Sequence, residues 1–165
     1  MKARPDFENS IRPELPVLYR VARRMVSSDD EAADLVQQTL LKSFQAWGRF
    51  DGRHLRSWLI QILRNENRMR LRSKGRHETE DISDNDIADT SFWDEVHWRH
   101  QANQLLVELD KLAPEFRIAI VLCDIEEMSY DEVAIAMDIP VGTVRSRLSR
   151  GRALLRKKLT EVIND

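Results

Sequence analysis

The sequence predicts an all-α chain of two small helical domains joined by a flexible acidic linker, and three observations carry that expectation. Apolar residues recur at helical spacing through most of the chain, and no run alternates as a half-buried strand would. Two capping boxes, Ser28-Asp29-Asp30-Glu31 and Ser129-Tyr130-Asp131-Glu132, mark helix starts, because the Ser hydroxyl accepts from a free backbone amide and the Glu reaches back. Gly and Pro number only five each and fall mostly between periodic segments. A length of 165 residues suits one ordinary domain or two small ones.

Taken in order, a first helix is expected from Arg12 to Val26, with Pro13 and Pro16 confining its start. The Ser28 box opens a second, which sets Ala33, Val36, Leu40, Phe44 and Trp47 on one stripe and stops at Gly48. After a turn at Asp51-Gly52, a third helix carries Leu55, Trp58, Leu59, Ile62 and Leu63 inward and ends basic, with Arg64, Arg68, Arg70, Arg72 and Lys74. These make one domain over residues 8–75. Residues 76–92 have few large apolar groups and much like charge, so burial there cannot offset chain entropy and a linker is expected.

The second domain, residues 93–165, opens with Val96, Leu105, Leu106, Leu109 and Leu112, with Trp93 and Trp98 as anchors of its first helix. Pro114 stands at a first helical position ahead of Phe116 to Cys123. The Ser129 box starts a short helix with Val133, Ala134 and Met137 inward. Asp138-Ile139-Pro140 breaks it, and a last helix runs from Val141 to about Val162.

The charge is abundant but nearly balanced, at a net of −2, so the total alone gives no hint of a polyanion partner. Its distribution does. Residues 1–75 hold 15 Lys/Arg against 9 Asp/Glu, residues 76–95 one Arg against eight acids, and residues 139–165 a net of +5. Two basic blocks flank acidic sequence, which suggests two polyanion-binding surfaces. The lone Cys123 excludes an intramolecular disulfide, and a buried thiol in a reducing compartment is expected. No apolar stretch approaches the ~20 residues of a membrane span, and the first residues hold no apolar signal region. A cytoplasmic protein is expected.

Catalytic chemistry finds no foothold. His97 and His100 lack acidic or Cys partners and make a poor metal site. The acids of the linker do not follow the spacing of a calcium loop, and there is no glycine-rich phosphate loop, nucleophile elbow or His-Glu motif. Neither an enzyme nor a cofactor, metal ion or small-molecule substrate is expected.

The two last helices, joined by a tight break and the second of them basic, describe a helix-turn-helix. Val144, Leu148, Gly151, Leu155 and Leu159 should pack inward, with Gly151 permitting close approach. The opposite side presents Thr143, Ser146, Ser149 and Arg150, with Arg145 and Arg147 on its flanks. In a major groove, Arg donates two bonds to guanine and short hydroxyls meet bases or phosphates. Arg156, Lys157 and Lys158 lie farther along and suit phosphates. A solvated basic helix closing a bundle would show the same pattern.

Here a resemblance becomes specific. PVGTVRSRLSRGR, from Pro140 to Arg152, resembles the recognition helix in region 4 of the extracytoplasmic-function (ECF) sigma factors of bacterial RNA polymerase, and LAPEFRIAIVLCDIEEMSYDEVAIAM resembles the rest of that region. DLVQQTLLKSFQAWGRF resembles region 2.2, and LRSWLIQILRNENRMRLRSK resembles regions 2.3–2.4. The likeness spans nearly the whole chain, in order. It implies core RNA polymerase and promoter DNA as partners, and commonly an anti-sigma factor. Asp34, Gln37, Gln38 and Leu41 then belong to the polymerase-docking face. Asn65 matches an Asn near the −10 strand, Phe50 and His54 lie in the loop of its base pocket, and Arg68, Arg70 and Arg72 meet −10 phosphates. Thr143, Arg145, Ser146, Arg147, Ser149 and Arg150 fall in the helix that contacts the −35 element. Trp58 matches a core Trp. Many relatives carry Asp where Met69 stands, and RNENRMRLRSKGR is closer to the subgroup of the alphaproteobacterial general stress response.

Two other classes fit the motif. A free-standing helix-turn-helix regulator would need its own dimerisation surface, and no third domain or heptad seam supplies one. A sigma-mimicking interaction protein would have no use for the intact Arg145–Arg152 face.

Overall fold

The computed structural model describes residues 6–75 and 102–164, and among these every regular element is helical. The expectations placed on residues 76–92, and on Trp93, Val96, His97, Trp98 and His100, lie outside the described residues. Backbone contacts group the described chain into two compact units, one holding residues 6–75 and Ala134–Asp138, the other the remainder.

In the first unit, Pro13 and Pro16 divide what the periodicity joined. Helix α1 (Phe7–Ile11) is followed by a 3-10 turn at Arg12–Glu14, and α2 runs Leu15–Met25, shorter at both ends than the expected Arg12 to Val26. Asp6 caps α1 by accepting from the Glu8 amide at 3.2 Å. The Ser28 box forms as expected on its serine side, its hydroxyl accepting from the Glu31 amide at 3.2 Å, and opens α3 (Asp29–Ala46). A 3-10 turn, Trp47–Arg49, carries the chain through Gly48, where the helix was expected to stop. Gly52, at φ +84°, and an Asp51 carboxylate accepting from the Arg53 amide at 2.8 Å make the turn into α4 (Leu55–Ser73).

The inner stripe of α3 is turned from the expected one. Ala32, Leu35, Val36, Thr39 and Ser43 are buried, whereas Ala33 is exposed, Leu40 and Trp47 are half-buried and Phe44 keeps 63% of its surface. The cause is local hydrogen bonding. Thr39 donates to the Leu35 carbonyl at 2.8 Å and Ser43 to the Leu40 carbonyl at 2.9 Å, so both hydroxyls are satisfied inside the helix and can face apolar neighbours. Along α4, Leu59 and Leu63 are buried as expected, but Ser57, Ile60 and Asn67 complete the stripe, and Leu55, Trp58 and Ile62 are half-buried. Trp58 is therefore no core residue. It joins an aromatic group at the rim in which Phe50 stacks on Trp58 (centroids 4.6 Å) and Trp47 (5.3 Å), while Phe7 meets Trp47 and Phe44 edge-on.

In the second unit, α5 (Ala102–Asp110) precedes α6 (Pro114–Ile120), which has Pro114 in its first turn. The chain continues as one π turn, Val121–Ile125, closed by the Glu126 amide on the Val121 carbonyl at 2.9 Å. The Met128 amide on the Leu122 carbonyl (3.0 Å) then ends the helix, with Glu127 at φ +56°. Cys123 lies in the π turn and is half-buried rather than fully buried, and that burial pushes its thiol up to about 12. The Ser129 box forms in both directions, at 3.2 and 3.4 Å, and opens α7 (Tyr130–Met137). Val133 is buried, and among the residues that α7 gives to the first unit Ala136 and Met137 are buried while Ala134, expected inward, is half-buried. Asp138, at φ +53°, breaks the chain before α8 (Val141–Asn164). Val144, Leu148, Gly151, Leu155 and Leu159 are all buried, as the spacing predicts. At Gly151 a Cβ would lie 3.1 Å from Ile120 Cδ1 and 3.2 Å from Phe116 Cβ, so glycine sets how close α8 approaches α6.

Glu127 occupies the left-handed region, which costs a side-chain-bearing residue about 1–2 kcal/mol. Glycine removes that cost but adds unfolded-chain entropy of about 0.4–1 kcal/mol. Glu127→Gly should therefore stabilise the second unit by about 0.5–1 kcal/mol, read as a higher urea midpoint with an unchanged m-value. An unchanged or lower midpoint would count against the strain.

Candidate nucleic-acid interfaces

Among the contacts that hold α8, three bear on how it is presented. Its inner stripe meets α6 through Gly151, as above. Arg152, one residue on, donates from Nε to Asp124 Oδ2 at 3.0 Å and from Nη2 to Oδ1 at 2.6 Å, and both side chains are largely buried. That paired geometry makes each bond charge-assisted and fixes the guanidinium plane. It also raises the Arg152 pKa, mainly through the Asp124 hydrogen bond. The third contact is farther out: the Arg145 guanidinium lies over the Tyr130 ring, 5.9 Å from its centroid.

The outer face that remains is narrower than the sequence spacing suggests. Arg145 is exposed, and Thr143, Ser146 and Arg150 are half-buried, with the Ser146 hydroxyl donating to the Thr143 carbonyl at 3.2 Å. Arg147 and Ser149 do not belong to an open face, since each keeps only 8% of its surface. Arg147 stands three residues after Val144 and four before Gly151, which puts its stem on the shoulder of the buried stripe. Ser149 lies on the ridge between Arg145 and Arg152, the ridge that meets Tyr130 and Asp124. Arg147 Nε and Ser149 Oγ are buried without a hydrogen-bond partner within the protein.

On α4, Asn65 and Arg72 are exposed and Arg68 is half-buried, and their spacing sets all three on one face beside Met69, which is 57% exposed. Arg70 departs from them. Five residues from Asn65 it faces another way, and its Nη2 lies 3.9 Å from the Glu31 carboxylate of α3. His54 is exposed and left-handed, at φ +51°, immediately before α4. Ten helical residues separate the start of α4 from Asn65, about 15 Å along the axis, so His54 and Phe50 form no single pocket with it. The Phe50 ring is held in its stack with Trp58 and Trp47.

On α3, Asp34, Gln37 and Gln38 are exposed and Leu41 is half exposed, and their spacing makes one continuous face. Phe44, assigned inward from the sequence, extends this face with apolar surface. A shallow groove lined by Phe7, Ile11, Leu15, Leu40 and Phe44 adjoins it. Phe44, Tyr130 and the Asp124–Arg152 pair are the residues that sequence reasoning missed. None left a signal, since the small residues opposite Phe44 include Thr39 and Ser43, which score as polar although they are buried.

Among the described residues no group of His, Cys, Asp and Glu could hold a metal ion, and no helix is long and apolar enough to cross a membrane.

Comparison with known proteins agrees with this layout. The family model for sigma-70 region 2 matches residues 11–77, and that for sigma-70 region 4 matches residues 102–155. An RNA polymerase sigma-E factor of Streptomyces avermitilis is 33% identical over 156 residues, covering 93% of this chain and 85% of the relative. The ECF RNA polymerase sigma factor EcfG of Rhodopseudomonas palustris is 34% identical over 152 residues, covering 91% and 83%. Against the ECF RNA polymerase sigma factor SigE of Mycolicibacterium smegmatis, 32% identical over 163 residues, 96% of this chain spans 63% of the relative's length. The sigma factor RpoE solved in complex with the anti-sigma factor NepR from Bartonella quintana superposes with a TM-score of 0.74 at 30% identity, covering 94% of this chain and 97% of that one. With an exposed α3 face, a basic α4 and a pinned recognition helix in the matched regions, the chain belongs to the ECF sigma factors of the sigma-70 family.

Proposed function

We propose that this chain binds core RNA polymerase and directs it to promoters by contacting both the −10 and the −35 element, with no catalytic step of its own. The observation that carries the reading is α8. Its buried Val144, Leu148, Gly151, Leu155 and Leu159 leave Thr143, Arg145, Ser146 and Arg150 on the outer side, so a recognition helix is held rigidly with its polar edge available. Region 2, proposed as residues 8–75, docks on polymerase through Asp34, Gln37, Gln38, Leu41 and Phe44. Asn65 with Arg68 and Arg72 tracks the −10 strand, where unstacked bases are held by hydrogen bonds on their exposed edges. Phe50 and His54 act at the upstream end of α4, apart from Asn65. Region 4, proposed as residues 93–165, reads −35, with residues 76–92 as the tether.

Control by an anti-sigma factor belongs to the same proposal. Two similar solved structures are sigma factors in complex with such partners, one the RpoE–NepR complex and the other CnrH with the cytosolic domain of CnrY, the latter at a TM-score of 0.68 and 26% identity. Both cover 94% of this chain. The exposed Leu41 and Phe44 offer apolar surface for a helix to cover. The relatives' names place them with RNA polymerase; a cytoplasmic site of action and a role in stress-responsive transcription are part of the same proposal.

Reconstitution is the direct test. Core polymerase with the purified chain should give run-off transcripts from a cognate promoter where core alone gives none. Specific DNA binding by a dimer without polymerase would favour a free-standing regulator instead. Arg150→Ala should cost about 1–3 kcal/mol of promoter binding and relax preference at one −35 base. A uniform loss over all sequences would assign Arg150 to phosphate. Replacing Gln37 and Gln38 by Lys should weaken association with core enzyme about tenfold or more, the loss of a central interface contact, with a normal circular dichroism spectrum. Unchanged binding would mean the docking face lies elsewhere.

A further inference from the structure

We propose that Tyr130 is a specificity-determining residue for the −35 element, because it holds the Arg145 guanidinium in the orientation that reads a base. The inference deepens the assignment of α8 as the −35 helix and rests on it. Tyr130 opens α7, where the Ser129 capping box fixes the backbone, and 39% of its surface remains exposed. Its ring lies beneath the Arg145 guanidinium, 5.9 Å from centroid to Cζ, within the range in which a cation is drawn to a ring face. Seven residues on from Arg145, Arg152 is locked in two bonds to the buried Asp124 carboxylate, which fixes the setting of α8 and so the place of Arg145 over the ring. One buried ion pair at the π turn thus sets the recognition helix, and one aromatic side chain on α7 meets the exposed arginine that the helix carries.

The chemistry explains why such a chain matters. A free Arg samples many rotamers, whereas bidentate recognition of guanine needs its planar fork in one orientation. A ring under the guanidinium fixes that plane before DNA arrives. Arg150 has no share in this device. It lies five residues on, about 140° round the helix from Arg145, so the two arginines should respond differently to a change at position 130.

The test uses holoenzyme reconstituted from core polymerase and the full chain, with run-off transcription over promoters carrying every single-base change in the −35 element. Arg145→Ala should flatten the preference at one position. Tyr130→Leu should lower the preference at that same position by ~2–5-fold, the worth of an exposed cation–π contact, while Tyr130→Phe retains most of it. In the Arg145→Ala background, Tyr130→Leu should change nothing further there. If Tyr130→Leu lowers the melting temperature, Tyr130→Gln gives the same comparison with a polar side chain. A loss of equal factor on every promoter, or one that adds to that of Arg145→Ala, would reduce Tyr130 to a structural or phosphate-contacting role and overturn the proposal. If Arg145→Ala itself leaves every preference intact, it is the assignment of Arg145 as a base reader that fails.

Discussion

The close approach of α8 to α6 at Gly151 is the contact on which the second unit depends. A recognition helix must be held by one side only, because any residue that covers its outer side removes an edge that could meet DNA. Gly151 lets the helices come near enough for Phe116 and Ile120 to lie against the backbone of α8 where a Cβ would otherwise stand. The Asp124–Arg152 pair then fixes rotation about that axis. A buried pair of this kind adds little net stability, since desolvation offsets its attraction. Its two directional bonds nevertheless permit one setting of the helix, and with it one presentation of Arg145 and Arg150.

The first unit meets the same constraint by different means. Helix α3 has both neighbours and an outer face to serve, and it buries Thr39 and Ser43 in place of larger apolar groups. Because their hydroxyls bond back to carbonyls of their own helix, these small residues need no partner from α2 or α4 and let those helices pack close. The larger apolar residues Leu41 and Phe44 are thereby left outside. The apolar outer surface of α3 is thus a consequence of how the core is made.

The helices and the inner face of α8 were legible in the sequence because they rest on local rules: two capping boxes, a proline at a first turn, and apolar residues at an even helical period. What could not be read was decided by partners distant in the chain or by polar atoms satisfied within a helix. The stripe of α3 is hidden because Thr39 and Ser43 score as polar although they are buried. Arg70 looks like one more basic residue at the end of α4 until Glu31 of α3 is placed beside it. Ser149 was set on the open face by spacing alone, yet it lies between two arginines that contact Tyr130 and Asp124. No pattern within α8 announces either partner.

Pairing also changes what the charge count means for DNA. Arg23 with Asp29, Arg56 with Glu14, Arg70 with Glu31 and Arg152 with Asp124 each set a basic group against a carboxylate. These are not equivalent. Pairs that water reaches are worth little and exchange readily, so Arg23 can leave Asp29, whose side chain is 79% exposed, for a nearby phosphate at small cost. Arg152 cannot, because leaving Asp124 would strand a buried carboxylate. Counting every arginine in α8 as a phosphate contact therefore overstates the charge that meets DNA. What the fold presents is a few oriented side chains on each basic helix, which suits a chain whose net charge is only −2 and whose selectivity must come from geometry rather than from bulk attraction.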